Sequence, residues 1–135
     1  MEHPLDYPAW NALISGNKNL SLGNDHVKYF HEEVAPFVGL STQNHYEFEH
    51  LYHIIPPKRR MVIIISKEIE IPKSWTLTEH IKALQMVHTQ DVSPVHTTTE
   101  IIPLQIKDVP QMLDLTALTH PGPFLQRTIE FGNYE

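Results

Sequence analysis

A helix that is forced to stop is the strongest constraint in this chain. Asp108 can cap a helix that carries Pro110 in its first turn, where a missing N–H costs nothing. Val109, Met112, Leu113 and the run from Leu115 to Leu118 supply its apolar content. Pro121-Gly122-Pro123 then closes it, because the two prolines fix φ and Gly122 tolerates positive φ. Taken by itself this triplet is a rigid helix stop. It would also serve as a stiff loop that presents Phe124 and Arg127 to a pocket. Before the helix, Glu100 to Gln105 reads as a strand broken by Pro103, and after it Arg127 to Phe131 reads as another strand.

The clearest linker begins at Asp91-Val92-Ser93-Pro94 and runs to about Thr98. It divides the chain into an N-terminal unit over residues 1–90, the linker over 91–98 and a C-terminal piece over 99–135, all of α+β composition. In the first unit, Asp6 can cap a short helix with Pro8 in its first turn and Trp10, Leu13 and Ile14 at helical spacing, ended by Gly16-Asn17. Leu20 and Leu22 alternate with polar residues up to a Gly23-Asn24-Asp25 turn, and Val27, Tyr29 and Phe30 resume beyond it, which predicts a β-hairpin. Glu32 to Leu40, with Pro36 and Gly39, reads as a loop.

Ser41 or Thr42 opens the next helix, whose Phe48, Leu51, Tyr52 and Ile55 fall on one face, and Pro56-Pro57 stops it. Met61 to Ser66 is a β-branched run suited to a buried central strand. Ile69 and Ile71 alternate with charges as far as Pro72. Trp75 to Ala83 fits a short helix or a loop, and Leu84 to His88 a further strand.

Bulk properties narrow the function classes. A chain of 135 residues with 41% hydrophobic and 19% charged content is an ordinary globular protein. A net charge of −6 opposes a nucleic-acid partner. Lys58-Arg59-Arg60, the one basic cluster, follows Pro56-Pro57 and reads as a solvated turn. There is no cysteine, which excludes disulfides, thiolate metal sites and cysteine nucleophiles and fits a cytoplasmic setting. The start Met1-Glu2-His3-Pro4 lacks the pattern of a secretory signal. Met61 to Ile65, the longest aliphatic run, falls far short of the roughly 20 residues a membrane helix needs, so no membrane partner is expected.

Ten histidines raise the question of metal. His45, Glu49 and His53 lie four apart on the second helix and share a face, where imidazole and carboxylate can hold zinc or iron(II). Their spacing is not H-E-x-x-H, and an exposed polar stripe opposite Phe48 and Leu51 accounts for the same residues. His26 and His31 point to opposite faces if they share a strand. No residue is therefore assigned to a metal. No G-x-S-x-G elbow occurs, and the five glycines are isolated, so neither a P-loop nor a dinucleotide fingerprint can form.

The run Leu118-Thr119-His120-Pro121-Gly122-Pro123-Phe124, followed by Arg127-Thr128-Ile129-Glu130-Phe131-Gly132-Asn133-Tyr134, resembles the opening of the catalytic domain in a subgroup of GNAT-type acetyltransferases. The resemblance continues upstream in the same order, through Pro8 to Leu13, Leu20 to Asn24, Val34 to Leu40 and Gln85-Met86-Val87, and so spans nearly the whole chain. It implies a GNAT-like α+β fold: an N-terminal extension of mixed helices and strands, then the first strand and helix of an acyltransferase domain. It also implies transfer of an acetyl group from acetyl-CoA to an amine.

In that family, backbone N–H groups of an R/Q-x-x-G-x-G/A loop at a helix N-terminus hold the cofactor pyrophosphate. That loop is missing here, so no cofactor-binding residue is carried over and the chain is expected to be a truncated, substrate-side portion, inactive alone. Phe124, Arg127, Glu130 and Tyr134 are the substrate-side candidates. Glu130 is the carboxylate among them that could act as a base, although an edge-strand or core-lining role accounts for each of the four. A self-associating dimer, through an edge strand near Ile129, or a complementing C-terminal half is the expected partner. The alternative function is a non-catalytic binding or protein-interaction module that keeps the front half of the fold.

Overall fold

A computed structural model of the chain describes residues 3–87 and 100–135. The linker expected over 91–98 lies outside the described residues. The elements are α1 (Pro8–Ile14), β1 (Ser21–Gly23), β2 (Val27–Phe30), β3 (Phe37–Leu40), α2 (His45–Ile54), β4 (Val62–Ile63) and α3 (Val109–Thr119), with short 3-10 turns at Pro4–Asp6, Lys18–Leu20, Ile106–Asp108 and Thr128–Phe131. The class is α+β. The four strands form one mixed sheet in the order β1-β2-β3-β4, antiparallel except for the parallel pair β3 and β4.

The expected hairpin is present. Tyr29 pairs with Leu22, and the Asn24 side-chain oxygen accepts from the N–H groups of His26 and Val27 at 2.9 and 3.2 Å, an Asx-type turn that starts β2. Alternation along β2 and β3 splits the core in two. Val27, Val38 and Leu40 face α2, where they pack with Phe48 and Leu51. Phe30 and Phe37 face the other way, towards Leu13 of α1 and Val34-Ala35.

The span from Glu32 to Leu40 is not simply a loop, because its last four residues are β3. Pro36 stands just before the strand, so its missing N–H costs no ladder bond, and its carbonyl accepts from Val62 N–H at 2.9 Å. Gly39 lies within β3 for a steric reason. A Cβ there would meet the Trp10 backbone, standing 2.5 Å from its nitrogen, so the glycine lets α1 lie directly on the strand.

Met61 to Ser66 is likewise not a buried central strand. Only Val62 and Ile63 pair, and only with β3, while Val62 and Ile64 are 40% and 45% exposed. A β-branched run favours extended backbone but does not specify how many neighbours it will have. Leu84–Val87 forms no strand, Glu100 to Gln105 forms none either, and Trp75 is followed by irregular, exposed chain as far as Val87. His88 lies outside the described residues. Leu104 N–H donates to Tyr134 C=O at 2.8 Å, a single bond where a strand ladder was expected.

Helix ends also differ in detail. Asp6 accepts from His3 N–H and caps a 3-10 turn at Pro4–Asp6, leaving Tyr7 at the start of α1. Asn44, not Ser41 or Thr42, caps α2, with its side-chain oxygen accepting from Glu47 N–H at 3.0 Å. Asp108 accepts from Gln105 N–H and so caps the 3-10 turn that leads into α3. The helix then closes at His120, whose left-handed backbone (φ 48°) ends it one residue before Pro121. Among the described residues no helix is long and apolar enough to cross a membrane.

Gly39→Ala should cost about 3 kcal/mol, the upper part of the overpacking range, because backbone on both sides of the contact resists displacement. Urea denaturation should show a lower midpoint with an unchanged m-value. An unchanged midpoint would mean that α1 does not sit where the structure places it.

Candidate functional site

The four candidates Phe124, Arg127, Glu130 and Tyr134 form two separate pairs, Arg127 with Glu130 and Phe124 with Tyr134. Arg127 to Phe131 is not a strand: Thr128–Phe131 is a 3-10 turn. Its shape follows from what it grips. Arg127 N–H donates to Glu33 C=O at 2.8 Å, and the buried Thr128 hydroxyl donates to Val34 C=O at 2.7 Å while accepting from Leu125 N–H. Phe131 meets Phe30 edge-on at 5.1 Å. A strand would carry these groups to opposite faces, whereas a tight turn aims them at one place. The edge strand expected at Ile129 is therefore absent.

Arg127 holds Glu130 in a two-pronged contact of 2.6 and 2.9 Å. The hydrogen bond from Arg127 pulls the Glu130 carboxyl below its usual range, with the Arg127 charge adding to it, and the same bond raises the Arg127 guanidinium. A depressed carboxylate is a poorer base, the opposite of the tuning that general-base catalysis favours. Phe124 and Tyr134 stack edge-on at 5.7 Å, and burial pushes the Tyr134 phenol up.

Phe124 borders a cleft. Together with Leu113, Asp114, His120 and Gly122 it lines an open depression of about 620 Å³ at the C-terminal end of α3. Asp114 and His120 bring a carboxylate and an imidazole to the same rim. The Pro121-Gly122-Pro123 stop thus carries Phe124 to a concave surface but leaves Arg127 at the 33–34 bend.

A second, more enclosed cavity of about 530 Å³ lies between α2, β3, β4 and the strap 71–78. Its walls include Phe48, Leu51, Ile63, Ile71 and Trp75, and the turn Lys58-Arg59-Arg60 stands at its mouth. Trp75 is fixed there because its indole N–H donates to Phe48 C=O at 3.0 Å and Tyr52 meets it edge-on at 6.1 Å. Arg59 donates to Phe30 C=O at 2.6 Å and sits 5.5 Å above the Tyr29 ring. Sequence reasoning did not find this site. Its walls come from α2, two strands and an irregular strap, and no local pattern announces that they converge.

The histidine face on α2 is otherwise engaged. His45 is 3.9 Å from Glu49, and Glu49 accepts from the Ser74 hydroxyl at 2.6 Å. Among the described residues no three His, Asp or Glu side chains are grouped to hold a metal ion. Comparison with protein-family models, curated proteins and solved structures finds no match to this chain.

The Arg127–Glu130 pair makes a pH prediction. Because the folded Glu130 carboxyl is depressed, its contribution to stability is present above the unfolded value and is lost as pH falls through the folded one. Glu130→Gln should lower the melting temperature slightly at neutral pH, as befits a surface pair. The gap between the two proteins should narrow as pH falls through and below the usual carboxylate range. Thermal melts across that range check it, and a gap constant with pH would remove the pair as its cause.

Proposed function

We propose that these 135 residues are the N-terminal, substrate-side portion of a GNAT-like acetyltransferase, acting with a C-terminal half that supplies the acetyl-CoA loop. The observation that carries this reading is the apolar surface that the C-terminal segment leaves exposed among the described residues. Leu115 and Leu118 of α3 are 61% and 80% exposed, and Ile102 and Ile106 just before it 64% and 79%. A helix with an apolar stripe needs a sheet or another helix against it, and patches of this kind mark interaction surfaces. The remaining strands of an acyltransferase domain are an occupant of the right chemistry.

The cleft beside Phe124 fits the same reading, since it opens at the end of that helix, next to the motif that resembles the family. On this account the portion contributes to amine binding and does not catalyse transfer alone. Its isolated glycines cannot form the pyrophosphate cradle. Acetyl-CoA is the cofactor of the completed protein. A non-catalytic binding module is the second reading, favoured by the apolar cavity beside α2, which has no lining residue from α3.

Reading the coding sequence past codon 135 tests the first proposal. An in-frame R/Q-x-x-G-x-G/A stretch is expected, and the longer protein should gain melting temperature with acetyl-CoA while residues 1–135 do not. No such stretch in any frame, or a longer protein indifferent to acetyl-CoA, would overturn it in favour of the binding module.

A further inference from the structure

The cavity between α2 and the 71–78 strap has the composition of a site for a small amphipathic anion. Its volume of about 530 Å³ falls within the range of small-molecule pockets. The interior is apolar and shaped in advance: Leu51 is 1% exposed, Phe48 is 6% exposed, and Trp75 is locked by its hydrogen bond to the α2 backbone. Such a pocket favours an alkyl or aromatic body and costs little reorganisation when it is filled.

The mouth is cationic, and the charge is largely unspent. Pro56-Pro57 ends α2 abruptly, and Lys58 turns the chain back through a left-handed conformation (φ 65°), so that three consecutive cations border one opening. Arg59 is committed to the Phe30 carbonyl and the Tyr29 ring. Lys58 and Arg60 have no carboxylate within ion-pair distance among the described residues, where the ion pairs are His31–Glu33, His45–Glu49 and Arg127–Glu130. In a chain of net charge −6, two cations, Lys58 and Arg60, without a carboxylate in ion-pair distance among the described residues at the rim of an apolar cavity call for an anion from outside.

We propose that the cavity between α2 and the 71–78 strap binds a small amphipathic anion, its apolar body against Phe48, Leu51 and Trp75 and its carboxylate or phosphate head held by Lys58 and Arg60. This assignment stands apart from the acetyltransferase reading, because it uses no residue of α3 or of the segment after it. Trp75 is the built-in reporter. Trp10 is the only other tryptophan, and it approaches β3 through its backbone.

The test titrates the Trp10→Phe chain with decanoate, decyl phosphate and decanol, each below its micellar concentration, and follows Trp75 emission. Thermal shift of the unaltered chain with the same three probes gives a readout independent of the tryptophan substitution. A saturable change is expected for the anions, with decanoate or decyl phosphate binding at least about ten-fold tighter than decanol. Whichever anion binds tighter identifies the headgroup. The double variant Lys58→Gln, Arg60→Gln alters two exposed side chains, and it should reduce anion binding to the level of decanol without changing decanol binding. Absence of saturable binding in both readouts, equal affinity for the alcohol and the anions, or a double variant that binds them as the parent does would overturn the proposal.

Discussion

The close approach of α1 to β3 over Gly39 is the contact on which the N-terminal unit depends. β3 is shared by the antiparallel hairpin and by parallel β4, so both halves of the sheet are joined through it. Its two faces serve different layers: Phe37 and Gly39 look towards α1, while Val38 and Leu40 look towards α2. Any side chain at position 39 would lift α1 from the sheet and open the smaller core around Leu13, Phe30 and Val34. The rarity of glycine in a strand interior is explained here by what lies against it.

The second layer is set by a buried carboxylate. Glu47 is 4% exposed, and it accepts from the Ser41 hydroxyl and from the N–H groups of Thr42 and Gln43, the latter at 2.8 Å. An unsatisfied carboxylate in that place would be costly, whereas one bonded to backbone donors ties the end of β3 to the first turn of α2. That corner fixes where Phe48 and Leu51 point, and so where the apolar cavity opens. The Trp75 hydrogen bond to Phe48 C=O then closes the cavity from the far side.

The C-terminal segment is held by its backbone and its hydroxyl more than by its charges. Thr128 and Phe131 seat the 3-10 turn on Val34 and Phe30, residues about a hundred positions earlier. Arg127 and Glu130 neutralise each other at the surface. The side chains that look most chemical in the sequence therefore satisfy one another, and the depressed Glu130 carboxyl suits an ion pair better than a proton acceptor.

Several features were determined by the sequence alone because local chemistry suffices for them. The Gly23-Asn24-Asp25 hairpin, the stop at Pro56-Pro57, the helix before Pro121-Gly122-Pro123 and the α+β class each follow from φ restriction, an Asx turn or apolar periodicity within a few residues. Other features were decided only in three dimensions. Pro36 and Gly39 signal a loop until Trp10 is seen to require the glycine within a strand. Met61 to Ser66 has the composition of a central strand, but whether a strand has one neighbour or two depends on the rest of the sheet. Thr128 to Phe131 alternates like a strand, yet bonds to residues 33 and 34 curl it into a turn. The cavity beneath Lys58-Arg59-Arg60 belongs to this second kind, since it exists only where α2, the sheet and a distant strap converge, and no short-range pattern encodes a space between elements.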